Sequence, residues 1–229
     1  MRGVARACLV AALCACHASP ARAQSSASSD GRIEIAVGAS WVGPLSFGSR
    51  DANETTSTLA QLPLFSASTR LAGAPSVEGR IGWRLSSTLM VEGDASYGRP
   101  ELQVTVTNDV EAGLTSSSVT AAERIEQFTV GGSVVWYAPV RQSSRFAPFL
   151  TAGGGYLRQL HETATFVQTG RYYQFGGGLA FPLTSRPVGR LKSVGVRIDA
   201  RGLVRVDGVA FDSSARIAPA AGGSLFVRF

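Results

Sequence analysis

Ten charged residues stand in a pattern that invites chemistry. Glu34, Glu78, Glu92, Asp94 and Asp199 face Arg80, Arg84, Arg197, Arg201 and Arg228, each at an alternate position of a short run whose other positions are apolar. Successive side chains of a strand point to opposite faces, so these ten are expected on one face of a sheet. Five acids against five bases suits mutual neutralisation in an enclosed space, because an unpaired buried charge is costly and a paired one is tolerated. The residues beside them are Gly, Ala and Ser, small enough for a crowded interior.

Other chemistries have weaker support. Hydrolysis wants a histidine beside a serine or carboxylate. The one histidine beyond the leader, His161 in Leu160-His161-Glu162-Thr163, reads as a solvated residue of a long loop. No catalytic residue is therefore expected. The runs Gly153-Gly154-Gly155 and Gly176-Gly177-Gly178 are not followed by a helical pattern, so they are not phosphate loops; glycine there suits close packing and curvature of adjacent strands. Cys8, Cys14 and Cys16 all lie in the first 23 residues, which leaves neither a disulfide framework nor a thiolate metal site downstream. No cofactor and no metal are expected.

Those first 23 residues read as a secretory signal peptide: Arg2 and Arg6, an apolar stretch from Ala7 to Ala15, and the small-x-small site Ala21-Arg22-Ala23. Leu13-Cys14-Ala15-Cys16 offers a competing cut, which would leave a lipid-modified Cys16 at the new amino end. The expected division is 1–23 signal peptide and 24–229 a single domain. Removing Arg2, Arg6 and Arg22 lowers the net charge from +6 to +3 over the 206 residues that remain, which is no footprint for nucleic acid. No later segment has 18 uninterrupted apolar residues, so a helical membrane protein is excluded.

The elements that must carry the charges are strands. Ile33, Ile35, Val37, Ala39 and Trp41 alternate with Glu34, Ala36, Gly38 and Ser40, and Val77, Gly79, Ile81, Trp83 and Leu85 with Glu78, Arg80, Gly82 and Arg84. The same rule runs through Leu89 to Tyr97, Phe128 to Trp136, Phe149 to Tyr156, Tyr173 to Phe181, Val194 to Ala200 and Ala221 to Phe229. Eight strands result, each near the 9 to 11 residues a tilted strand needs to cross a bilayer. Connections after strands one, three, five and seven are long, roughly 34, 24, 14 and 10 residues, and the returns are shorter. Long loops on one side and short turns on the other is the arrangement of an eight-stranded antiparallel up-and-down transmembrane β-barrel, an all-β fold.

Alternation alone does not say which face looks inward, since a soluble lipocalin-like barrel gives the same signal. The charge balance favours an enclosed polar lumen. Aromatic residues at strand ends (Trp41, Trp83, Tyr97, Trp136, Tyr137, Tyr156, Tyr172, Tyr173, Phe181 and Phe229) suit girdles at two membrane interfaces.

The final strand, with Leu225, Val227 and Phe229 at alternate positions, resembles the small outer-membrane β-barrel family of the eight-stranded OmpA/OmpX-like kind. That resemblance implies a Gram-negative outer membrane, lipid as the surrounding partner, and a last strand read by the barrel-assembly machinery. It implies closure of strand eight on strand one, which would bring Glu34 and Arg228 to similar height. A monomer is expected, acting in a structural or surface-interaction role, with a surface partner at the long loops and a lumen plugged by salt bridges. The rival readings are a small enzyme acting on lipid A and a soluble periplasmic ligand-binding barrel.

Overall fold

The computed structural model describes residues 31–55, 61–107, 119–139, 146–161, 167–184, 191–207 and 215–229. The expected signal peptide and the two alternative cleavage sites read for it lie outside them. Eleven strands run in chain order: β1 (Ile33–Val42), β2 (Leu45–Thr55), β3 (Gln61–Leu71), β4 (Ala74–Arg84), β5 (Leu89–Gly98), β6 (Glu101–Thr107), β7 (Val119–Tyr137), β8 (Ala147–His161), β9 (Val167–Thr184), β10 (Ser193–Asp207) and β11 (Arg216–Arg228).

Eight of these close a ring. Each pairs antiparallel with the next in the order β1, β4, β5, β7, β8, β9, β10, β11, and β11 returns to β1 from Glu34↔Arg228 to Val42↔Ala220. A walk through paired residues from Tyr137 passes Phe149, Gly178, Asp199, Gly222, Ser40, Ser76 and Gly98 and returns to β7 at Gln127, ten residues from its start. With ordinary strand spacings, that stagger tilts the strands by about 40°. The fold is a closed antiparallel up-and-down barrel.

At one end the wall continues past the ring. β1 gives way to β2 at Gly43-Pro44, β4 is preceded by β3 across Ala72-Gly73, and β5 gives way to β6 at Arg99-Pro100. Beyond these breaks β2, β3, β6 and the first half of β7 form an extension, paired in that order. The first long connection, expected as a loop of about 34 residues, is thus mostly a hairpin, and much of the second is β6. Only five residues separate β8 from β9 instead of about 14. The strands overrun their expected ends because above the ring only a short inner stripe (Leu45, Phe47, Leu71, Ile125) is apolar, and the polar remainder gives no long alternation to mark them.

β2 does not continue the ladder with β11. The last backbone link is Gly43 N–H to the Pro219 carbonyl, 2.7 Å. Above it Gly48, at φ 91°, sits at a shift of the β2–β3 register, a conformation that favours glycine. The Arg216 guanidinium bridges the parted strands, donating to the carbonyls of Ser46 and Phe47.

The ring is apolar outside and polar inside. Ile35, Val37, Val77, Ile81, Val130, Val134, Ile198 and Leu225 are exposed, Val37 by 66%, whereas Arg197 is 1% exposed. Trp41, Trp83, Trp136, Tyr156, Tyr173 and Phe229 face outward as expected of girdles. Two expected girdle members do not: Tyr137 and Tyr172 are buried. Each neighbours an outward aromatic (Trp136, Tyr173), and adjacent strand residues must face opposite ways.

Candidate functional site in the lumen

The interior is layered from the short-turn end upward. Close to that end lies an apolar layer, the floor: Ala36, Met90, Val135, Tyr137, Phe149, Ala180 and Phe226 pack together, with Met90, Val135 and Phe226 fully buried. Phe226 owes its room to Gly195, where any Cβ would overlap the ring. This floor was not visible in the charge pattern, although Met90 and Phe226 share the parity of their charged neighbours.

Charges flank this floor: Glu34, Arg84 and Arg228 lie toward the short turns and the others level with it or above. Arg228 Nε donates to Glu34 Oε2 at 2.7 Å across the closing seam. Arg197 Nη1 lies 2.6 Å from Glu92 Oε2 and 4.0 Å from Glu34 Oε1. Its guanidinium rests over the Phe149 ring, 4.1 Å from the centroid, which couples the ionic layer to the apolar one. Arg84 sits at the mouth, 4.7 Å from the Tyr137 ring centroid.

The next layer is a four-membered ring of alternating charge. Arg80 binds Glu78 and, at 2.9 Å, Asp199; Arg201 binds Glu78 at 2.7 Å and lies 3.5 Å from Asp199. Period-two strands bring the ring together: Glu78 and Arg80 lie two apart on β4, Asp199 and Arg201 two apart on β10, and all four point into one lumen. Each carboxylate meets two guanidiniums, which offsets the desolvation a lone buried ion suffers.

Asp94 differs from the expected pattern. Its partners are neutral: Tyr172 Oη donates at 2.8 Å and Gln174 Nε2 at 3.2 Å, and Arg201 Nη1 donates to Gln174 Oε1 at 3.2 Å. The Tyr172 hydroxyl fits because Gly131 has no side chain; a methyl there would overlap it. Above these groups the lining turns to uncharged polar residues, with Ser40–Ser76, Ser96–Thr129 and Gln159–Gln127 hydrogen bonds at 2.8, 2.6 and 3.2 Å.

Among the described residues, one buried charge of the lumen escaped the sequence reading, as did the uncharged Gln127, Gln159 and Gln174. Arg205, 8% exposed, shares the odd parity of Arg197 and Arg201 on β10, so extending the alternation would have found it. The expected loop residue His161 is instead the last residue of β8, its Nδ1 3.2 Å from Glu123 Oε2. Leu225, Val227 and Phe229 share the outward face of the last strand, alternating with buried Ser224, Phe226 and Arg228.

No family model and no curated protein matches the chain. Among solved structures, it is similar to the outer membrane protein OprG from Pseudomonas aeruginosa at 12% identity and TM-score 0.48, over 87% of this chain and 96% of that one. Neisserial surface protein A gives 15%, 0.45, 85% and 95% in the same order. The outer membrane protease OmpT from Escherichia coli gives 11%, 0.36, 91% and 100%. What the chain shares with them is the barrel architecture.

Proposed function

We propose that the chain is an integral outer-membrane protein of a Gram-negative bacterium, exported by residues 1–23, with a structural or surface-interaction role and no catalytic chemistry. The supporting observation is the inversion of the wall: exposed Ile35, Val37, Ile81 and Val130 outside, buried Glu34, Arg80, Arg197 and Asp199 inside. Water would penalise that outer face and hydrocarbon favours it. From Ile33 to Trp41 the wall covers about 20 Å of barrel height, close to the apolar band of such proteins.

In this reading the lumen is closed by its ion pairs and apolar layers, and the barrel is a monomer because ring closure leaves no strand edge within the lipid-facing wall. Leu225, Val227 and Phe229 form the face offered to the assembly machinery. The hairpin of β2 and β3 with β6, at the end away from the short turns, is the surface available to an external partner.

The test is fractionation after expression in a Gram-negative host, followed by electrophoresis with and without heating. The protein is expected in the outer membrane, needing detergent to extract it and changing mobility on boiling. Recovery in aqueous buffer without detergent would sink the proposal. A His161→Ala variant is expected to leave lipid A composition of the host as the parent protein leaves it; a changed acylation pattern would instead establish the enzyme.

A further inference from the structure

Arg205 is a buried cation of the lumen that takes part in none of the ion pairs described above. Arg205 reaches inward from β10 between two small cavities, both of which it lines together with Gln127. Among the described residues no carboxylate lies within ion-pair distance of it, and one of its Nη atoms is buried without a hydrogen-bond partner. The two acids in the same cavity wall are already engaged, Glu78 by Arg80 and Arg201, Asp94 by Tyr172 and Gln174. A guanidinium cannot shed its proton to escape burial. An uncompensated cation out of water is costly, so a counter-charge is called for.

Space for one exists beside it. The larger cavity is about 40 Å³, where a single water needs about 10–15 Å³. Its polar lining supplies donors: Arg205, and Gln127, whose Oε1 is occupied by Gln159 and whose amide N–H groups are left to donate, while the Ser96 and Thr129 hydroxyls bond to each other. Two residues further along β7 and β11 come Ile125 and Ala218, which pack with Leu45, Phe47 and Leu71. That apolar cluster separates the cavity from the outer end of the extension and lowers the local dielectric, which strengthens a charge pair formed there.

We propose that the upper lumen holds a single small monovalent anion, of halide or formate size, bound by the Arg205 guanidinium with Gln127 as a second donor. The site excludes larger anions by volume. Its occupancy stabilises the folded barrel, because a ligand that binds only the native state shifts unfolding by mass action.

The full chain is refolded in detergent and its urea midpoint measured at constant ionic strength in sodium chloride, formate and gluconate. Chloride or formate is expected to raise the midpoint over gluconate, in a saturable way. Arg205→Gln is expected to abolish that difference, and Arg205→Lys to keep part of it. Equal midpoints in the three salts for the parent, or a difference that survives in Arg205→Gln, would overturn the site. Should Arg205→Gln not refold, crystals of the parent in bromide decide: an anomalous peak beside Arg205 is expected, and its absence rejects the proposal.

Discussion

Arg197 is the most deeply buried charged residue among those described. It is 1% exposed, binds Glu92 at 2.6 Å, and shields Glu34 at 4.0 Å while resting on Phe149. Removing one member of a buried pair strands the other, so Arg197→Met is expected to destabilise the barrel by about 3–5 kcal/mol, read as a lower urea midpoint in detergent. Adding Glu92→Gln removes the stranded charge and is expected to restore part of that loss; losses that simply add would show the two do not interact. Gly131 offers a steric counterpart. A methyl there overlaps the Tyr172 hydroxyl that binds Asp94, so Gly131→Ala is expected to cost about 1–3 kcal/mol by overpacking. The matching change at Gly132, whose Cβ would meet only the Glu92 carbonyl at 3.5 Å, is the control.

At the scale of elements, β11 does two separable things. Its backbone closes the ring, down to Phe229 N–H donating to the Ile33 carbonyl at 2.9 Å. Its outward side chains Leu225, Val227 and Phe229 contribute to no interior layer. Phe229→Ser keeps every backbone bond, so barrels refolded in detergent are expected to unfold at the parent's urea concentration. In cells the same variant is expected to reach the outer membrane in lower amount, since the face proposed for recognition has lost its terminal aromatic. A fall in the urea midpoint without a loss of assembly would reverse that assignment. How far the sequence disclosed these elements follows from their surroundings. β1, β4 and β5 were readable almost to the residue because lipid-facing and lumen-facing positions differ sharply in polarity. β2, β3 and β6 were not, because only their ends near the ring, at Leu45, Phe47, Leu71 and Leu102, pack inward and the polar remainder of β2 and β3 carries little contrast. The apolar floor was hidden for the opposite reason: Met90, Phe149 and Phe226 look like lipid-facing residues until parity assigns them inward.

Seen along its whole axis, the molecule closes its lumen in several layers, two of which differ most in kind. The ring of Arg80, Glu78, Arg201 and Asp199 occupies the middle, and the cluster around Phe226, Met90 and Phe149 seals the short-turn end. These barriers act in series and by different physics. The charged ring resists an ion by occupying the axis with paired groups, and the apolar floor by excluding water, which makes it a dewetted constriction. An eight-stranded wall has an interior just wide enough for such side chains, so neither layer can shift far without losing packing. The parent barrel is therefore expected to be silent in planar bilayers. Phe226→Ala alone hollows the floor but leaves the ring, and Arg80→Ser with Asp199→Ser breaks the ring but leaves the floor; each is expected to remain silent. Combining all three changes still leaves Arg197 paired with Glu92 beside the floor and the apolar cluster of Leu45, Phe47, Leu71 and Ile125 toward the far end, so this variant is expected to stay silent as well. Steps from Phe226→Ala alone would mean that the ionic layer conducts, and that the apolar floor is the molecule's only seal.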